Sequence, residues 1–253
     1  MADIKIKNNL PNIKIRRQPD DDTCGPTCLH SIYGYFNDNI PLRQVITEIQ
    51  TLETGGTLAV FLALHALKRG YHTIIYNYNL ELFDPSWFGL QQLNLAKKLM
   101  QQAKAKSDAK LHTATHAYLK FLRLGGELGF ETLDPLLFKR YFNRGLPILA
   151  ALSATFLYLE SRVRLWDDKE DDIRGVSAGH FVVLHGYDER KGIIHVADPL
   201  HRESDRYGEN YTIDVHRVID AILLGVLSHD ANLLILQPKT QRAHPKNVTP
   251  KKR

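Results

Sequence analysis

The sequence predicts an α+β fold, and two observations carry that expectation. Up to about residue 145, apolar residues recur mostly at helical spacing, in runs such as 24–36, 58–68 and 90–106. From residue 147 onwards, short apolar runs bounded by turn residues take over, at 147–152, 181–186 and 193–196. Helices first and antiparallel strands after is the pattern of an α+β domain.

Taken in order, residues 3–18 read as a short strand and a loop. The polar turn Asp20-Asp21-Asp22-Thr23 is placed to cap a helix running from Cys24 to about Phe36. Gly25-Pro26 fits its first turn, because proline is tolerated where the backbone N–H has no intrahelical partner. Asn37-Asp38-Asn39 ends that helix. A second helix is expected over 42–52 and a third over 58–68, stopped by Gly70. Residues 72–76 read as a strand. Three more helices are expected at 90–106, 113–124 and 132–143, the last opened by Asp134-Pro135 and closed by Gly145. The stretch 84–145 therefore reads as a helical insertion between two halves of one domain spanning 1–238. After it come the three strands already named, the last two joined by the turn Asp188-Glu189-Arg190-Lys191-Gly192, then a helix at 211–227 and a strand at 232–237.

The chain has 253 residues, 43% of them hydrophobic and 24% charged, which suits one globular domain with a substantial core. Its net charge of +5 is concentrated at the C-terminus. Residues 239–253 carry Lys239, Arg242, Lys246, Lys251, Lys252 and Arg253 with no acid and no aromatic. That composition predicts a disordered basic tail, not a surface that stacks on bases, so no nucleic-acid partner is expected. No apolar stretch is long enough for a membrane span, and no signal-peptide pattern opens the chain. With only two cysteines there is no disulfide framework, and a cytoplasmic location, where a free thiol persists, is the expectation.

One of those cysteines stands out. Cys24 begins a helix, where unpaired N–H groups and the helix dipole favour a thiolate. Far downstream, His180 opens the apolar strand Gly179-His180-Phe181-Val182-Val183-Leu184. Asp198 ends the hairpin partner strand, and a hairpin brings its far end back beside its start. Asp198 is thus placed to accept the His180 Nδ1–H. Asp188, at the far end of the His180 strand, is the rival acid. A small residue at Gly179 leaves room for a substrate chain, and Gly25 has the same property beside the cysteine. A Cys–His pair of this kind makes a nucleophile that forms a thioester.

Gln18 lies six residues before Cys24. The start Gln-x5-Cys-Gly-Pro, the Gly-His-Phe-Val-Val-Leu strand and the later Asp198-Pro199 resemble the double-glycine leader peptidases, the papain-fold thiol peptidases that process bacteriocins. The resemblance covers about 12–36 and 145–237, and the Cys24-to-His180 separation is long for that family, as an insertion would make it. It implies a papain-like fold, a peptide or protein substrate and no cofactor. It implies the roles of nucleophile for Cys24, base for His180, orienter for Asp198 and oxyanion donor for Gln18. No exporter or ATPase segment accompanies the motifs, so the resemblance is to stand-alone members.

Rival readings follow from the same residues. An amine in place of water would make the chain an acyl or peptide transferase, and a closed cleft would leave a silent peptide-binding module. Cys28, one turn beyond Cys24, reads as a core thiol. His112 and His116 have i, i+4 spacing but no intervening Glu, so no metal site is expected. The acidic run 167–172 before His180 reads as a solvated loop, with an acidic rim to the cleft as its functional alternative.

Overall fold

The computed structural model describes residue 10 and residues 13–53, 55–88, 95–167, 169–200, 208–228 and 230–239. The expected strand before residue 10 and the basic tail beyond Lys239 lie outside them.

Seven strands form one sheet in the order β2-β1-β7-β3-β4-β5-β6. They are β1 Tyr71–Asn77, β2 Glu127–Gly129, β3 Ile148–Ser153, β4 Gly179–Asp188, β5 Ile193–Ala197, β6 Asn210–Asp214 and β7 Asn232–Pro238. All neighbours are antiparallel except β1 and β2. The late strand β7 inserts between β1 and β3, which ties the first half of the chain to the second.

Helices cover both faces of the sheet. On one lie α1 (Cys24–Tyr35), α3 (Ala59–Lys68) and α5 (Ala109–Arg123), with α2 (Leu42–Glu48) against α1 and α4 (Leu95–Ala105) against α5. This face shares one buried apolar cluster, centred on residues such as Leu29, Ile32, Leu62 and Phe121. On the other lie α6 (Pro135–Phe142), α7 (Ala154–Tyr158) and α8 (Val215–Leu224), with a second cluster around Phe138, Phe142, Val182 and Ile222. The architecture is α+β, with a cysteine at a helix start and a histidine and an aspartate on the antiparallel part of the sheet. Segment 95–145 is woven into it. Its helices α4 and α5 complete the first layer, α6 belongs to the second, and β2 is the sheet's edge.

Several boundaries differ from expectation for identifiable reasons. The helix expected from residue 211 begins only at Val215. Residues 210–214 are strand β6, and Asp214 caps α8 by accepting from the His216 and Arg217 amides at 2.9 and 3.1 Å. The helix expected from 113 begins at Ala109, because Asp108 accepts from the Leu111 amide at 2.7 Å. Helix α2 ends at Glu48, where Ile49 turns to extended backbone. The first sequence-placed cap also differs. Thr23, at the N-cap of α1, makes no side-chain bond to the first-turn amides. It bonds back to Asp20 instead, accepting from its N–H at 3.3 Å and donating to its carbonyl at 3.2 Å.

Gly25 shows how tightly α1 is seated. A β-carbon there would stand 2.8 Å from the Thr57 methyl and 3.2 Å from both Leu62 and Phe181. Thr57 cannot easily turn away, since its hydroxyl donates to the Gln50 carbonyl at 2.8 Å. The space beside Gly25 is thus filled by protein, and its role here is the close approach of α1 to β4. Gly25→Ala is expected to destabilise the fold by about 1–2 kcal/mol, overpacking outweighing the gain in helix propensity. A lowered Tm in thermal unfolding checks this, and an unchanged or raised Tm would show that Thr57 gives way.

Candidate active site

The site forms where the N-terminus of α1 meets the start of β4. The β4–β5 hairpin has a register shift between Leu184 and Gly186, and its far end returns Asp198 beside the start of β4. His180 Nε2 and Asp198 Oδ1 are 2.8 Å apart. The nitrogen used is Nε2, not the Nδ1 expected from sequence. Cys24 also acts on the imidazole, and with Nε2 turned to Asp198 the Nδ1 edge is the one left for the thiol. Asp188 caps the turn at the opposite end of β4, accepting from the Arg190 and Lys191 amides at 3.1 and 3.2 Å, and is removed as a rival.

Gln18 is held at the same place. Its backbone N–H donates to the Pro199 carbonyl at 3.0 Å, one residue after Asp198. Its side-chain Nε2 donates to the Asp20 carbonyl at 2.9 Å, which fixes the amide and engages one of its two N–H groups. Its Oε1 is buried without a hydrogen-bond partner. Gly179 is exposed beside His180. A cavity of about 340 Å³ lies between Arg17, Gln18, Pro19, Asp20, Asp21 and Leu200, along the loop that leads into α1.

The constellation is almost sealed. Cys24 is 8% exposed, Gln18 8%, His180 6% and Asp198 1%. Burial alone would push the His180 imidazole down. The Asp198 carboxylate, their hydrogen bond and the Cys24 partner outweigh that and raise it above the ordinary histidine value. Burial likewise opposes charge on Asp198. The facing imidazole, together with bonds from His180, Tyr158 and the Leu200 amide, still holds its carboxyl below the ordinary range. The pair is thus built as carboxylate and imidazolium.

Two residues here were not legible in the sequence. Asp198 Oδ2 accepts from the Tyr211 hydroxyl at 2.8 Å and also from the Tyr158 hydroxyl. They come from β6 and α7, elements misread or missed, so no spacing rule pointed to them. Cys28 is a core thiol: fully buried, its Sγ donates to the Phe181 carbonyl at 3.2 Å, and burial pushes its pKa up. His112 bonds to the Lys106 carbonyl, and no group of three metal-ligating side chains gathers among the described residues. Two acids of the run before His180 are paired with nearby arginines. Arg164 bonds to Asp167 at 2.9 Å, and Arg174 to Asp171 at 2.7 Å.

Comparison with known proteins gives one family match and several similar structures. Residues 136–219, the segment carrying His180 and Asp198, match the model of the Peptidase_C39 like family. Among solved structures, a putative C39-like peptidase from Bacillus anthracis is similar at 14% identity, covering 92% of this chain and 98% of that one, with a TM-score of 0.47. The peptidase domain of Streptococcus ComA, a bi-functional ABC transporter involved in quorum sensing, is 14% identical over 90% of this chain and 100% of that one, with a TM-score of 0.42. A double glycine motif protease from an AMS/PCAT transporter, solved with its leader peptide, is 13% identical over 91% and 95%, with a TM-score of 0.43. No curated protein matches. No described helix is long and apolar enough to cross a membrane.

Proposed function

We propose that this chain is a cysteine peptidase that cleaves a peptide bond through a Cys24 thioester, and that its substrates are leader peptides ending in small residues such as Gly-Gly. The observation that carries the reading is the buried Cys24–His180–Asp198 line, with Gln18 pinned next to it. With the thiol proton already held on His180 Nδ1, the Cys24 Sγ thiolate attacks the scissile carbonyl. The developing oxyanion is received by the Cys24 backbone N–H and the remaining N–H of Gln18 Nε2. His180 then gives its proton to the leaving amine. Water, deprotonated by His180, releases the acid and restores the thiolate. Segment 84–145 is read as an insertion that thickens the helical layers of a single domain.

Burial of all four residues favours one second reading, a closed site that binds peptide without chemistry. A single experiment decides between them. Intact-mass spectrometry after limiting iodoacetamide, from pH 4 to 9, is run on the wild type and on His180→Ala. A single fast adduct that persists below pH 7 and is slowed about tenfold or more by His180→Ala supports the peptidase. Slow labelling with an ordinary thiol profile, indifferent to His180, supports the silent module. Cleavage of peptides carrying Gly-Gly, against the same peptides with Val-Val, then tests the substrate class.

A further inference from the structure

We infer that Tyr158 and Tyr211 are positioning residues: a pair of hydroxyls that clamps the free oxygen of Asp198 and so keeps its carboxylate charged and aimed at His180. The inference rests on the peptidase reading for its purpose, but not for its geometry.

A carboxylate at 1% exposure has no water to satisfy its lone pairs, so protein must supply the donors. Here the supply is complete. Oδ1 accepts from His180 Nε2 at 2.8 Å and from the Leu200 amide at 2.9 Å. Oδ2 accepts from Tyr211 at 2.8 Å and from Tyr158. Two donors on each oxygen fix both the position and the rotation of the group. With Oδ2 fixed from the far side, Oδ1 has one direction left, towards the imidazole.

Each tyrosine is itself anchored. Tyr211 sits within β6, paired with Val196 of β5, two residues before Asp198. Tyr158 is the last residue of α7, which is strapped to the chain entering β4. The Ala154 N–H donates to the Ala178 carbonyl at 2.9 Å, the Ala178 N–H to Thr155 Oγ1 at 3.0 Å, and the Ser153 and Ser177 hydroxyls meet at 2.9 Å. Directly after Tyr158 the chain turns away through Leu159, a non-glycine residue in the left-handed region at φ 56°. Such a conformation is held only where its surroundings fix it. The Tyr158 ring also leans on the imidazole, with centroids 6.2 Å apart at 52°. Helix α7 thus carries a side chain that touches both halves of the His–Asp pair. The titratable groups facing that pair among the described residues are Cys24 and Cys28 on α1, Tyr158 on α7 and Tyr211 on β6.

The test uses the full chain with Tyr158→Phe, Tyr211→Phe and the double variant, and follows the His180 ring by 15N NMR against pH. Each single variant is expected to raise the imidazole titration midpoint by about half a pH unit or more, and the double variant further, because a carboxylate that loses an O–H donor keeps more of its charge for the facing imidazolium. A purely structural role would lower Tm and leave the midpoint unmoved, and that result overturns the inference. If a phenylalanine variant does not fold, 3-fluorotyrosine placed at 158, a stronger donor of nearly the same shape, must lower the midpoint, and no shift overturns the inference equally. The two proposals fail separately. An unreactive wild-type thiol with a tyrosine-dependent His180 midpoint sinks the peptidase and spares the clamp. A reactive thiol with a midpoint indifferent to both tyrosines sinks the clamp and spares the peptidase.

Discussion

Cys24→Ala is expected to abolish peptide cleavage, by about a thousandfold or more, while leaving the fold and Tm nearly intact. The size follows from the role. A nucleophile that forms the covalent intermediate has no partial substitute when its atom is removed, and what remains is binding and oxyanion stabilisation alone. The only other thiol cannot stand in. Cys28 Sγ is fully buried, bonded to the Phe181 carbonyl, and pushed by burial towards its neutral form. Cys28→Ala should therefore keep most of the activity and lose about 1–2 kcal/mol of stability from the core. Cleavage of one peptide substrate by the wild type and both variants, with circular dichroism as the fold control, checks the pair. Equal loss in both variants would mean that the chemistry depends on α1 packing and not on the Cys24 sulfur.

The linear order of Gln18, Cys24, His180 and Asp198 was legible because local rules fix most of what matters. A cysteine after a polar turn and before an apolar run starts a helix. An apolar strand, a tight polar turn and a second strand make a hairpin, and the hairpin length brings Asp198 to His180. What local rules do not carry is which atom faces which. The imidazole presents Nε2 to Asp198, a fact of side-chain placement in the folded chain. The same limit hid Tyr158 and Tyr211. Residues 211–227 hold a continuous apolar pattern that reads as one helix. Asp214, with its two amide acceptances at the start of α8, was the available sign that the helix begins later and a strand precedes it. Strand β2 has three residues and α7 five, too short for periodicity to register. The insertion of β7 between β1 and β3 is a long-range pairing with no local signal at all.

Asp198→Asn should keep the fold and lose the chemistry at mild pH, with iodoacetamide labelling at pH 6 slowed by about 10- to 100-fold. The neighbouring tyrosine hydroxyls can rotate from donor to acceptor, so an amide of the same shape is accommodated without an unpaired buried group. What it lacks is charge. His180 is buried, and burial disfavours its cation. With the carboxylate at 2.8 Å replaced by a neutral amide, the imidazole returns towards its neutral form and no longer holds the thiol proton. The stability difference from wild type should follow pH with a defined sign. His180 is raised, so its contribution is complete below the ordinary histidine value of about 6.5 and fades only as pH climbs through the raised one. Asp198 is lowered, so its contribution is complete above the ordinary aspartate value of about 3.9 and fades as acid protonates it. The Tm gap between wild type and Asp198→Asn should therefore be widest from about pH 4 to 6.5 and narrow on either side. Asp188→Asn, at the far end of the same strand, is the matched control and should change neither labelling nor this profile. A Tm gap that stays constant from pH 4 to 9 would mean that Asp198 acts by packing and hydrogen bonding alone, and that the imidazolium is not what the buried carboxylate is there to hold.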